Sequence, residues 1–189
     1  MNVTVAQPWT RDRFLEWEAR QPTRFEFDGF QPVAMTGGTA AHAAIQRNLA
    51  IAVGGRLRGT PCRFFGNDLK IEVGASFRYP DGFITCMPVA PRSTVASEPV
   101  VVFEVLSVST AGTDRIIKLR EYQATASIRR YVILEQDFAA ATVIERRGDE
   151  WTVLALTNGD MLRLPEAGIE LALSELYDGL DFATDDTTS

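Results

Sequence analysis

The chain has 189 residues, 46% of them hydrophobic and 23% charged, with a net charge of -6. That excludes a low-hydrophobicity disordered chain and a basic nucleic-acid coat protein, while leaving room for one core of ordinary size. With no apolar run near the roughly 18 residues of a membrane span and no basic-then-apolar leader in residues 1–11, the expectation is a cytoplasmic protein with no membrane partner.

A first helix is predicted from Thr10, a good N-cap, to Arg20, closed by Pro22, with Phe14, Leu15 and Trp17 as its apolar positions. Residues Arg24 to Val33 alternate around a central Asp28-Gly29, a strong hairpin signal. Phe25 and Phe27 take one face of that hairpin, so Glu26 and Asp28 take the other. Gly37, Gly38 and Thr39 turn into a second helix, Ala41 to Leu57, which Gly59-Thr60-Pro61 ends.

Strand-like stretches follow at Arg63 to Phe65, Leu69 to Val73 and Phe83 to Cys86, with Pro80-Asp81-Gly82 heading the last. Pro88 to Pro99 reads as a loop. Pro99 to Leu106 is the strongest strand, a nearly continuous apolar run typical of a strand buried on both faces. A polar turn, Ser107 to Thr113, leads to a third helix over Asp114 to Ala126 and a short buried strand, Arg130 to Leu134, which makes Val100 to Leu134 a βαβ candidate. Ala140 to Arg146 and Glu150 to Leu156 form a hairpin about Gly148-Asp149. Residues 1–181 read as a single domain and 182–189 as a disordered tail.

Cys62 and Cys86 have neither CxxC spacing nor an adjacent histidine, which argues against a zinc cluster. Two free, half-buried thiols in a reducing compartment are preferred to a disulfide.

Four charged residues are candidates for chemistry. Glu104 lies inside a buried valine-rich strand, where a carboxylate is expensive unless paired or metal-bound; a strand-end glutamate paired with a nearby arginine fits equally well. Asp81 heads a neighbouring strand, and two such carboxylates can hold one hard cation such as Mg²⁺, although a plain Pro-Asp-Gly turn gives the same string. Lys118 shares a helix face with Asp114 and Tyr122. It can hold a phosphate or orient a water, or simply pair in solvent with Asp114. Glu26 approaches from the hairpin or points to solvent. His42, the only histidine, opens the second helix and is a candidate phosphate contact or proton carrier. No P-loop, Gly-x-Ser-x-Gly elbow or dinucleotide fingerprint is present.

In this order the features resemble the Uma-type restriction endonucleases of the PD-(D/E)XK nuclease superfamily. The matching strings are Phe25-Glu26-Phe27-Asp28-Gly29, the helix opening at His42, Pro80-Asp81, Glu104-Val105-Leu106-Ser107-Val108-Ser109-Thr110, and Asp114, Lys118 and Tyr122 leading to Tyr131-Val132-Ile133-Leu134. Val108 stands where the family has proline, and Val132 and Glu135 replace its Trp and Asp.

The resemblance implies an α/β fold, a restriction-endonuclease-like mixed β-sheet flanked by helices. It also implies Asp81 and Glu104 as ligands of Mg²⁺ or Mn²⁺, with the Val105 carbonyl as a third oxygen. Lys118 would act as the catalytic lysine and Glu26 as an auxiliary acid, with His42 and Tyr122 as possible auxiliary groups. DNA is the implied substrate and a homodimer the implied assembly. The alternative is a weakly active or inactive member of the same fold serving as a homodimeric binding module.

Overall fold

The computed structural model describes residues 8–35, 37–106 and 113–182, with the side chains of 113–115 excepted. Among the described residues, thirteen strands and three α-helices follow in chain order. Helix α1 (Arg11–Glu18) leads to β1 (Phe25–Phe27) and β2 (Pro32–Ala34), then α2 (Ala40–Arg56). Next come β3 (Arg63–Gly66), β4 (Lys70–Val73), β5 (Ser76–Arg78), β6 (Gly82–Thr85), β7 (Val95–Ala96) and β8 (Pro99–Val105). Helix α3 (Thr113–Ala124) precedes β9 (Arg130–Leu134), β10 (Ala140–Arg147), β11 (Glu150–Thr157), β12 (Met161–Leu164) and β13 (Ile169–Ala172).

A six-stranded sheet, ordered β11-β10-β9-β8-β6-β3, is mixed: β8 and β9 are parallel and joined through α3, while the other neighbours are antiparallel. A five-stranded sheet, β2-β1-β5-β4-β7, and a β12–β13 ribbon complete the fold. The expected mixed α/β architecture is therefore present. Among the described residues, no helix is long and apolar enough to cross a membrane.

Strand β8 is buried on both faces, as its run of valines requires. Val101, Phe103 and Val105 join one core with α2 and the C-terminal ribbon, while Val102 joins the other with Ile71, Tyr122 and Tyr131. Helix α2 presents Ile45, Asn48, Leu49, Ala52 and Val53 to the first core, one stripe at helical spacing. Thr39 caps its start by accepting the His42 amide at 3.1 Å. A third cluster stacks Phe14 of α1 on Phe27 and Phe77 at 5.1 and 5.9 Å between ring centres.

The cysteines correct the expectation of free thiols. Arg63 pairs with Thr85 across β3 and β6, so the next pair outward is Cys62 and Cys86, and they form a disulfide. Strands β5 and β7 also fall outside the sequence-based elements, as does the whole ribbon after residue 157. Of the expected features, residues 107–112 of the polar turn expected over Ser107 to Thr113, and residues 183–189 of the tail, lie outside the described residues. The ring of Phe182 packs against Tyr177, with centres 5.7 Å apart.

Candidate active site

The site grows from the register of β6 against β8. Gly82 pairs with Phe103 and Phe83 with Val102. One step further along that ladder stand Asp81 and Glu104. Opposed residues of an antiparallel pair bring their side chains together, so strand pairing itself makes these two carboxylates neighbours. A Cβ at Gly82 would lie 2.6 Å from the ring of Phe64, so a larger residue there would have to displace that ring.

Asp81 heads the strand but does not continue it by backbone pairing. Its Oδ2 accepts the Val105 amide at 2.6 Å, and its Oδ1 accepts the Gln46 side chain at 2.6 Å. His42 Nε2 approaches Oδ2 at 3.3 Å. The hydrogen bond to Asp81 raises the histidine above its ordinary pKa, against burial, with further help from the charges of Asp81 and Glu104 and from a hydrogen bond to the Val105 backbone. His42 and Gln46 sit four apart on α2 and thus reach the same carboxylate from one helix face. Gly38 makes the space for the imidazole, since a Cβ there would sit 2.8 Å from His42 Nδ1.

Glu104 projects into the second core. Its Oε1 accepts the Tyr122 hydroxyl at 2.9 Å and faces Lys118 Nζ at 3.5 Å. Burial pushes its carboxyl up to about 7. The Lys118 charge and the Tyr122 hydrogen bond pull the other way, while Asp81 and Glu26 add to the rise. An acid held this high by burial and by two other carboxylates is one that a cation would relieve.

Glu26 closes the cluster from the hairpin. It is 6% exposed, which overturns a solvent-facing role. Its Oε1 accepts the Tyr79 amide at 3.0 Å and lies 3.3 Å from Lys118 Nζ, while Oε2 accepts Arg78 Nη1 at 3.1 Å. Arg78, at 1% exposure, also forks onto Glu121 at 2.7 and 2.9 Å. Burial alone would lower that guanidinium, but Glu121 and Glu26 outweigh it and raise it. An ionic chain thus runs Glu121, Arg78, Glu26, Lys118, Glu104.

Glu26, Asp81, Glu104, Lys118, His42 and Tyr122 all converge on one place. The plain reading of Lys118 as a solvated lysine does not fit a side chain only 11% exposed, and Asp81, in the bend before β6, also uses its carboxylate to hold Val105 and Gln46. The Asp114 side chain lies outside the described residues. Sequence reasoning missed Gln46, Glu121 and Arg78. Gln46 at four residues from His42, and Glu121 at three from Lys118, were available from helical spacing; Arg78 carried no local signal.

The family model Uma2, described as "Putative restriction endonuclease", matches residues 11–174. The uncharacterized protein slr1290 of Synechocystis sp. is 31% identical over 175 residues, covering 90% of this chain and 92% of that one. A second uncharacterized Synechocystis protein, sll1609, is 23% identical over 164 residues, covering 82% and 92%. The fold is similar to the crystal structure of a "putative nuclease belonging to DUF820" from Anabaena variabilis, with a TM-score of 0.71 at 17% identity over 90% of this chain and 98% of that one.

Proposed function

This chain belongs to the Uma2 family, and from that premise we propose that it is an endonuclease that hydrolyses DNA phosphodiester bonds with Mg²⁺ or Mn²⁺. The observation that carries the reading is the meeting of Asp81, Glu104, Lys118 and Glu26 from four separate elements around one buried acid.

The donor set suits a hard cation. Among the described residues no three His, Cys, Asp or Glu side chains gather as a metal cluster. Mg²⁺ does not require that many, because it commonly takes one or two carboxylates and completes its shell with water and phosphate. Asp81 and Glu104 would hold it, with the Val105 carbonyl as a third oxygen. When bound, the cation supplies neutralising charge and a more acidic water.

The chain's own groups supply the rest. Lys118 places a positive charge beside Glu104, where it would oppose the charge developing on a phosphate. Glu26 holds that ammonium from the other side, and Arg78 fixes Glu26 through its fork onto Glu121. Gln46 and the Val105 amide hold Asp81 in one orientation. His42, charged more readily than a free histidine, can hold or release a proton beside Asp81. Cutting both strands with one such site per chain calls for a second copy, so the active form is proposed to be a homodimer.

The test is incubation of supercoiled plasmid with purified protein and Mn²⁺, with Asp81→Ala as the control. Nicked or linear product from the wild type alone is expected. Identical behaviour of the two would sink the catalytic reading and leave a non-catalytic homodimeric module of this fold.

A further inference from the structure

We propose that the open groove between α2 and the edge strand β3 seats one DNA strand as it leaves Asp81, with its phosphates on Arg47 and Arg58. The proposal rests on the endonuclease reading of the Asp81 site and extends it to a surface outside that site.

The groove encloses about 730 Å³ and has Asp81 in its wall, within the roughly 300–1,000 Å³ of small-ligand clefts. One side is a stripe of α2 at helical spacing, Ala43, Arg47, Ala50 and Gly54, continued by Arg58 in the turn just past its end. This face is opposite to the one that fills the core. The other side is β3, the terminal strand of the six-stranded sheet, followed by Asn67.

Charge selects the occupant. The chain as a whole carries -6, yet among the described residues the charged side chains lining this groove are Arg47, Arg58 and, at the site end, Asp81. Both arginines are exposed. Arg47 donates to Asn48 Oδ1 at 3.2 and 3.0 Å and to the Asp178 carbonyl at 3.5 Å, acceptors that carry no charge and leave its own unneutralised. Arginine forks suit phosphate oxygens.

Shape agrees with a strand. From Gln46, bonded to Asp81, to its end at Arg56 the helix advances roughly 15 Å at about 1.5 Å per residue. That covers about four phosphates at ~3.4 Å per strand. Ala50 and Gly54 keep the floor low enough for a sugar-phosphate backbone. Ile51, 66% exposed, and the half-buried Phe64 offer apolar surface to sugars and bases. A strand cut at Asp81 must continue past the scissile bond, and this groove is the cationic path that Asp81 opens onto.

The experiment is fluorescence anisotropy of a labelled duplex and of its single strand, titrated with full-length protein in EDTA so that cleavage is silent. Arg47→Ala/Arg58→Ala should weaken binding of the single strand about tenfold at moderate salt and lower the slope of log K against log salt by about 1.4. Ala50→Glu, a change at an exposed floor position, should weaken it in the same sense. Arg163→Ala, on the exposed β12–β13 ribbon, should change neither. Circular dichroism melts of each variant check folding.

Unchanged affinity and slope in the double variant would overturn the groove, as would absence of binding by the wild type. If the double variant binds normally while the wild type nicks plasmid, the groove fails and the endonuclease reading stands. If the groove variants lose binding but the wild type never nicks with Mn²⁺, the groove stands and the endonuclease reading fails.

Discussion

Replacing Glu104 by Gln separates what the carboxylate costs the fold from what it contributes to a cation site. In the folded chain this carboxyl sits near 7 against an ordinary 4.5. Below about pH 4.5 it is protonated whether the chain is folded or not, and the fold carries no penalty. As the pH rises through the folded value, the unfolded chain ionises first and the folded acid must follow into a buried place. Stability is therefore fully present at low pH and is lost between about pH 4.5 and 7, by on the order of 3 kcal/mol.

Glutamine mimics the protonated acid and still offers Tyr122 an acceptor, while Lys118 keeps Glu26 as a partner. Urea unfolding in EDTA from pH 4.5 to 8.5 should show the wild type losing stability with rising pH much more than Glu104→Gln. At pH 8 the variant should be more stable by on the order of 3 kcal/mol, a rise of about 5–10 °C in melting temperature. His42 is also raised, so it too loses stability upward from pH 6.5. It is present in both proteins, and since Asp81 does more than Glu104 to raise it, the difference between them is set mainly by Glu104. Saturating Mn²⁺ should then close most of that gap, stabilising the wild type by about 2.7 kcal/mol at a hundredfold excess over Kd and leaving the variant where it was. Parallel pH profiles in EDTA, or a variant less stable at pH 8, would refute the reasoning.

Two further outcomes test the supporting shell. Arg78→Met leaves Glu26 and Glu121 without their shared cation and should destabilise the fold by about 3–5 kcal/mol in urea, and Arg78→Lys should recover only part of that because it cannot fork onto Glu121. Gly38→Ala puts a methyl against the His42 ring and should reduce plasmid nicking several-fold while shifting the melting temperature by no more than about 2 °C, and an unchanged nicking rate would remove His42 from the mechanism.

How much of this is legible in sequence depends on the range of the physics involved. The capped helices, the Asp-Gly hairpin and strand β8 are set by residues within a few positions of one another, and they stand where their caps and periodicities put them. Glu104 is legible because a charge in a valine run is costly wherever the chain folds. Arg78 is not legible: in Ser76-Phe77-Arg78 its burial makes sense only through Glu26 and Glu121, 52 and 43 residues away. Strand β7 is two residues inside a proline-bearing loop, with only its parallel partner Lys70–Ile71 to define it. The ribbon β12–β13 did carry a local signal, since Leu162 and Leu164 alternate with exposed neighbours. The disulfide is invisible for another reason: composition speaks to compartment, whereas pairing depends on the register of β3 against β6.

Strand β6 is only four residues long, yet it is tied at both ends and to opposite neighbours. Before its first residue, Asp81 grips the amide of Val105 on β8; after its last, Cys86 is covalently joined to Cys62 beside β3. A slip of one residue against β8 would rotate every side chain to the other face, sending Glu104 toward Leu49 and Leu134 and away from Lys118. The same alignment that closes the hydrophobic interior therefore sets the spacing of the acid pair. Lys118, delivered by a helix, can drift or be replaced from a different position without disturbing the sheet. The two acids have no such freedom: moving them means refolding the centre of the protein.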